Sequence, residues 1–542
     1  MRIHILLVLL FTAFTAQSQV PFQVEVSPYR IQNFGGVQSF APAHYNGHWY
    51  MFGGRLDGLH QRQPWASFDA AGHNDRLIVV DKQQDSARYV DISGLSTGLY
   101  DQLKSTNMEY YQKDSLLYLV GGYGISAAQG THITFPALIV VNMAALDRYV
   151  FQQSGTLDAC FGRLSGSDFA VTGGSLQYKG GVFYLIGGHR FDGRYNPMNG
   201  PSFTQQYTNA VRKFTLSGPS LNPQVAWQPE IKDAQLLHRR DYNVLAQLDA
   251  QGKLSFTAFS GVFKKTADLP YLSAVEIDTS SVREVPGFTQ YFNHYHCAHL
   301  PLFDTASGAM HNLFFGGIAQ YYVDQNGQRV QDNNVPFVNT IAVVSKDAQG
   351  NYRETRMDSS MPGLLGAGSV FYLDPQLPTR EDGHIAALSL PLQDTLTLGY
   401  IVGGIRSTAP NIFNQNTGTQ SSATQEVFKV RLLPGRTLGR GEATPNSMHL
   451  TIYPNPAQEE IRLDYGAQPH TPVQIQIHDQ NGRLVHQFKG VTGAGAKHSL
   501  AIPTEKLPQG TYVISLSQAG KRHTQQFIRA PQTSKGPHHR HR

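Results

Sequence analysis

Short apolar runs that end in a glycine pair recur along this chain, and Val182-Phe183-Tyr184-Leu185-Ile186-Gly187-Gly188 is the clearest of them. The pattern returns at His48–Gly54, Leu117–Gly122, Asn312–Gly317 and Leu398–Gly404, with a degraded copy, Leu254–Gly261, in the one gap. Each run is preceded by a shorter strand and a turn, at Asn46-Gly47, Lys113-Asp114, Lys179-Gly180, Gln251-Gly252, Ser307-Gly308 and Gln393-Asp394. Gly, Asn and Asp are the residues a hairpin turn needs. After the glycines comes a loop and a third apolar strand, at 77–81, 138–141, 211–214, 274–278, 341–344 and 427–430. Five of the units continue into a fourth strand, for example Ala87–Asp91 and Val282–Val285. A repeated unit of four antiparallel strands predicts a radial array, a β-propeller. The sixth unit lacks a fourth strand, and the alternating segment Phe22–Val26 has no other home. It is expected to pair there and close the ring, which removes a free sheet edge. The glycine pairs are expected where strands crowd near the axis and a side chain would strike the next blade.

At this point the chain resembles the kelch family. It carries that family's apolar-run-Gly-Gly signature and, before it, versions of its Arg/Gly-His element: Arg380-Glu381-Asp382-Gly383-His384, Arg239-Arg240-Asp241-Tyr242-Asn243 and Asn293-His294-Tyr295-His296. Trp227 is the survivor of the family's fourth-strand tryptophan. The resemblance covers about residues 22–433 and implies a six-bladed propeller.

The N-terminus adds a destination. Arg2 and His4 precede the apolar run Ile5–Phe14, and Ala16-Gln17-Ser18 supplies small residues where a signal peptidase reads. Residues 1–18 read as a signal peptide cut between Ser18 and Gln19. The run is too short to span a bilayer, and the mature protein is expected to have no integral membrane segment. The net charge of +5 is small for 542 residues, and no basic stripe supports a nucleic-acid partner. Cys160 and Cys297 stand far apart and read as free buried thiols rather than a disulfide framework.

Beyond 433 the character changes. Residues 434–448 form a linker rich in Gly, Pro, Arg and Thr. Val473–Asp479 then alternates strictly, Asn481-Gly482 turns the chain, and Gly510–Leu516 and Gln525–Ile528 close a small antiparallel β-sandwich. Tyr453-Pro454-Asn455-Pro456-Ala457, the Asp479-x-x-Gly482-Arg483 hairpin and Leu507-x-x-Gly510-x-Tyr512-Val513 make residues 449–530 similar to the type A sorting domain of the type IX secretion system of Bacteroidetes. That resemblance implies passage across the outer membrane by the type IX machinery, then release or attachment to the cell surface. Residues 531–542 read as a basic disordered tail. The fold class expected for the whole is all-β: a six-bladed kelch-type propeller followed by a small sandwich.

The long post-glycine loops, 55–76, 123–137, 189–210, 262–272, 318–338 and 405–425, are expected on one face, the usual place for recognition. The binding-face candidates are Arg55, Asp57, Trp65, His189, Arg190, Asp192, Tyr195, Tyr321, Tyr322 and Arg406. The inner strands should line a channel. His294 and His296 share a face by strand alternation and are the metal candidates; His296, His384, Asp241 and Arg240 are the catalytic candidates. Tyr295-His296 is similar to the copper-binding Tyr-His pair of galactose-oxidase-type kelch enzymes, but no Tyr–Cys partner is identifiable. No cofactor is predicted. P-loop and HExxH motifs are missing from the sequence. The leading expectation is a non-catalytic module that binds extracellular glycan or protein. The alternative is a secreted carbohydrate-active enzyme, a hydrolase or an oxidase, with its site at the channel mouth.

Overall fold

A computed structural model describes residues 20–435 and 450–530, apart from 199, 201, 325, 454, 458, 467–469, 480–482, 493–496 and 519–520. The signal peptide with its cleavage point Ser18–Gln19, most of the linker, the Asn481-Gly482 turn and the basic tail lie outside the described residues. The chain divides into two compact units between Arg436 and Thr437.

The first unit is a β-propeller. Among the described residues its main sheets are six, each built on four antiparallel strands. From the inner strand outward, blade one is Ala41–Tyr45, His48–Phe52, Arg76–Asp81 and Ser86–Asp91. Blade two is Thr106–Lys113, Leu116–Ser126, Ala137–Asn142 and Phe161–Ser165. Blade three is Ser175–Lys179, Val182–Ile186, Ala210–Ser217 and Gln224–Lys232, and blade four Asn243–Leu248, Leu254–Phe259, Ala274–Ile277 and Val282–Glu284. Blade five is Ala298–Asp304, Met310–Phe315, Thr340–Lys346 and Tyr352–Ser360. Blade six takes Ser369–Leu373, Leu396–Gly403 and Val427–Pro434 from the end of the unit and its outer strand, Phe22–Tyr29, from the beginning. Phe22 pairs with Pro434 and Tyr29 with Val427, so both ends of the propeller sit in one sheet. Trp227 lies on the outer strand of blade three, its ring 5.0 Å from those of Phe169 and Phe214.

Each glycine pair does one job. The second glycine's N–H donates to a carbonyl of the next blade: Gly54 to Ser105, Gly122 to Val171, Gly188 to Arg239, Gly261 to His294, Gly317 to Leu365 and Gly404 to Val37, at 2.8–3.1 Å. The six bonds pass around the ring and return to blade one. The first glycine sits at positive φ with the same carbonyl against it. A Cβ at Gly53, Gly121, Gly316 or Gly403 would lie 1.8–2.2 Å from that oxygen. In blade four Ser260 takes this place at φ +56, and its hydroxyl donates to Tyr271 O at 2.6 Å.

A second ring runs nearer the axis, where each inner strand begins. Asn107 N donates to Ser39 O, Ser39 N to Gly368 O, Gly368 N to His296 O, His296 N to Asp241 O and Asp241 N to Gly173 O. Thr172 Oγ1 closes the circuit on Asn107 O at 3.1 Å. Ser39, Asn107, Gly173, Asp241 and Gly368 all have φ between +49 and +67. Gly, Asn, Asp and Ser are the residues that tolerate or locally stabilise this conformation.

Blade six departs from the expectation. The reading of Gln393-Asp394 as its hairpin turn put the inner strand directly before that turn, but the strand that pairs with Leu396–Gly403 is Ser369–Leu373. Residues 374–395 are an excursion between those two strands. Within it Thr379–Arg380 pairs with Ile385–Leu388, which lies parallel to the inner strand of blade five. His384 is therefore not on the inner strand of its own blade.

The second unit holds two antiparallel sheets around one core. Leu450–Tyr453, Glu460–Gly466 and Lys497–Pro503 form one; Leu484–Val491, Pro472–Asp479, Gly510–Gln518 and Lys521–Arg529 form the other. Ile461, Leu463, Ile475, Ile477, Ile514, Leu516 and Phe527 fill the space between them. Asn455 fastens the Tyr-Pro-Asn-Pro-Ala segment to the last strand, accepting from Ile528 N at 2.9 Å and donating to Gln526 O at 3.2 Å.

The glycine geometry generates a test. Gly121→Ala combines positive φ with a backbone collision and should lower stability by at least about 2 kcal/mol. Gly47→Ala, at φ +80 but with open space around it, should cost only about 1 kcal/mol. Thermal and urea unfolding of the two variants checks the order; equal losses would mean the contact with the next blade is immaterial.

Candidate functional site

The inner strands of all six blades line one axial cavity of about 390 Å³. Ser39, Asn107, Gly173, Asp241 and His296 mark the end where these strands begin. At the other end, where they turn, the exposed lining residues are His44, Asp114 and Asp382. The 374–395 excursion reaches over this second end from blade five to blade two. The His384 ring stacks on Tyr111 at 4.3 Å, its Nε2 lies 2.9 Å from Gln112 O, and Asp382 lies 3.7 Å from Lys113 Nζ.

The catalytic candidates are thus split between the two ends. His296 lies at the strand-start end, 6.0 Å ring to ring from His299, while His384 belongs to the strap over the other end. Arg240 and Asp241 are neighbours joined by an ion pair, and Arg240 Nε also donates to Tyr207 Oη at 3.3 Å. Burial works against the Arg240 charge, but Asp241 beside it raises its pKa above the ordinary arginine value.

His294 and His296 do not converge. No strand covers them, because the inner strand of blade five begins only at Ala298, so the alternation argument does not apply. His294 is fully buried with both ring nitrogens committed, Nε2 3.0 Å from Gln290 O and Nδ1 accepting from Gln320 N at 3.0 Å. Burial pushes the pKa of His294, His296 and His299 down to about 4. Among the described residues no group of three or more His, Cys, Asp or Glu is placed to hold a metal ion. Cys160 and Cys297 are both free and buried.

The post-glycine loops interlock into one layer. Leu59 N donates to Ser421 Oγ, Arg62 to Asn414 O, Arg194 to Ser67 O and Asn411 to Asp332, at 2.7–2.9 Å. His60 meets Tyr195 and Phe413, and Phe68 meets Tyr123 and Tyr195, ring to ring. Loops of blades one and three therefore meet across blade two. Several binding-face candidates are spent in this layer. Arg55 is 1% exposed and bonds Asp57 and the Asp69 carbonyl. His189 is buried, its Nδ1 2.7 Å from Gln205 Nε2. Arg190 pairs with Asp192 at 2.6 Å and Arg406 with Glu426. Tyr321 donates to Gln331 at 3.0 Å, on a hairpin that also carries Tyr322. Trp65 differs: it is 73% exposed.

Sequence reasoning missed Glu109. It is 5% exposed, lines the cavity, and accepts from Gly174 N at 2.7 Å through Oε1. Burial, with a smaller contribution from Asp241, pushes its pKa up to about 8, although the Gly174 N–H pulls the other way. A lone acid between Met108 and Tyr110 on an inner strand was the available signal.

Comparison with known proteins separates the two units. Residues 451–530 match the secretion system C-terminal sorting domain. This segment is a type IX sorting domain, and the chain is accordingly a β-propeller protein handled by that machinery and delivered across the outer membrane to the cell surface or the extracellular space. No helix among the described residues is long and apolar enough to cross a membrane. No curated protein matches the chain. Among solved structures, YjhT is similar at 13% identity over 73% of this chain and 97% of that one, with a TM-score of 0.37. A family 43 β-xylosidase/α-arabinofuranosidase from a compost metagenome is similar at 10% identity over 61% and 98%, TM-score 0.29. PorZ, a surface component of the type IX system of Porphyromonas gingivalis, is similar at 11% identity over 91% and 80%, TM-score 0.15.

The Glu109 carboxyl gives a pH signature. Its protonated form is favoured in the folded chain, so its stabilisation is complete below the unfolded value of about 4.3 and is lost as pH rises through about 8. The stability of the wild type relative to Glu109→Gln should therefore fall between pH 5 and pH 8, measured by urea unfolding. A constant difference would show that Glu109 does not titrate as described.

Proposed function

We propose that the protein is a six-bladed kelch-type propeller, residues 19–433, that acts outside the cell as a non-catalytic recognition module for glycan or protein. On this reading residues 1–18 are removed as a signal peptide, 434–448 are a linker to the sorting domain, and 531–542 are a basic tail. The observation that carries it is Trp65, held exposed on loops that are already fastened to one another. Phe413, 40% exposed, stands on the loop that Arg62 clamps beside it. A pre-ordered aromatic surface loses little conformational entropy on binding, and an indole offers a stacking face for a sugar or an anchor for a protein.

The second reading is a secreted carbohydrate-active enzyme. The axial cavity favours it, being of a size that suits a small ligand. The separation of His296 from His384, and the pairing of Arg240 with Asp241, weigh against the constellation first expected.

Trp65→Ala should weaken binding by about tenfold or more while leaving the melting temperature unchanged. The labelled mature chain on a glycan array, and then on intact cells, provides the measurement. Binding that survives both Trp65→Ala and Phe413→Ala would overturn the loop-face reading.

A further inference from the structure

The axial cavity contains polar side chains that the protein itself leaves unused. Glu109 gives one oxygen to Gly174 N, and no other hydrogen bond to its carboxyl is found among the described residues. The same holds for the ring of His296 and for the Tyr110 hydroxyl, both of which line the cavity. These groups stand in a strongly desolvated setting, where an unpaired polar atom is costly unless water or a ligand meets it. Glu109 and Tyr110 lie on the inner strand of blade two and His296 at the strand-start end of blade five, all lining the same cavity.

The charge balance of the lining narrows the ligand. No Lys or Arg side chain lines the cavity, so an anion finds no counter-charge. Asp241 is already paired with Arg240, and Asp114 and Asp382 with Lys113, so a cation finds little uncompensated charge. What is left is a mixture of neutral donors and acceptors beside the aromatic rings of Tyr110, Tyr111 and Tyr372. That combination suits a neutral polyhydroxylated molecule, and the volume is that of one or two sugar rings.

We propose that the axial cavity is a second binding site, separate from the loop face, which takes a neutral mono- or disaccharide with Glu109, Tyr110 and His296 as its hydrogen-bonding groups. The ligand enters at the end where the inner strands turn, beside the strap carrying His384. Glu109, carboxyl pushed up to about 8, is a hydrogen-bond donor at neutral pH, and His296, held neutral by burial, offers an acceptor. The ionisable groups facing Glu109 are Asp241, Tyr242 and Tyr110; Arg240 stands behind Asp241.

Saturation-transfer NMR of the mature full chain with free monosaccharides and disaccharides provides the test. At least one neutral sugar should saturate the protein at pH 6.5. Its affinity should fall tenfold or more by pH 9, where Glu109 becomes a carboxylate and can only accept. Glu109→Gln keeps a donor without the ionisation, so its affinity should stay flat across that range. His296→Leu should lose binding and Trp65→Ala should keep it. The proposal is overturned if no neutral sugar binds, if Trp65→Ala rather than His296→Leu abolishes binding, or if Glu109→Gln follows the pH profile of the wild type.

Discussion

The propeller depends on one backbone hydrogen bond repeated at every blade boundary, from the second glycine of a pair to a carbonyl of the next blade. Side-chain packing between blades can slide, because apolar contact is not directional. A backbone bond fixes spacing and angle, and six of them must agree for the ring to close. The first glycine follows from the second. To present its neighbour's N–H, the chain must turn through positive φ with the carbonyl pressed against the Cα, and no Cβ fits there. Ser260 shows the limit of tolerance: a small side chain occupies the position where its hydroxyl can be satisfied at once.

This constraint also explains buried polar side chains. The carbonyl of the first residue of a pair faces inward and needs a donor. Asn74 supplies it for Gly53, Gln102 for Gly121, Arg239 for Ser260 and Asn293 for Gly316. All four are 2% exposed or less, a burial tolerable for amides and a guanidinium only when they are bonded. Arg239 does most, reaching Leu236 O and the carbonyl and hydroxyl of Ser273 as well.

The repeat was legible because Gly-Gly after an apolar strand is a local record of this long-range contact. The closing strand was legible by elimination, since Phe22–Val26 alternates and one unit lacked an edge. Strand choice in blade six was not. Ile385–Leu388 is as apolar as Ser369–Leu373, and both precede Leu396–Gly403; only pairing to blade five or to blade six tells them apart. The candidate site failed for a related reason. Arg55 and His189 read as recognition residues because their loops are long and polar, but a loop layer that fastens itself consumes such groups. Glu109 was overlooked because an acid in a mixed strand looks like its solvent-facing position, whereas an inner strand has no solvent face except the cavity.

Closure ties folding to the order of the chain. The outer strand of blade six precedes blade one in the chain and its partner, Val427–Pro434, is the last of the unit. Contacts that join such distant residues form late, because the loop entropy must be overcome before the pairing stabilises anything. Until then blade six has an open edge, and blades one and six lack the Gly404–Val37 bond. The sorting domain follows Pro434 in sequence, so a chain that carries the export address also carries every strand the ring needs. A chain that ends before Val427 cannot close the propeller and also lacks the domain that would send it out.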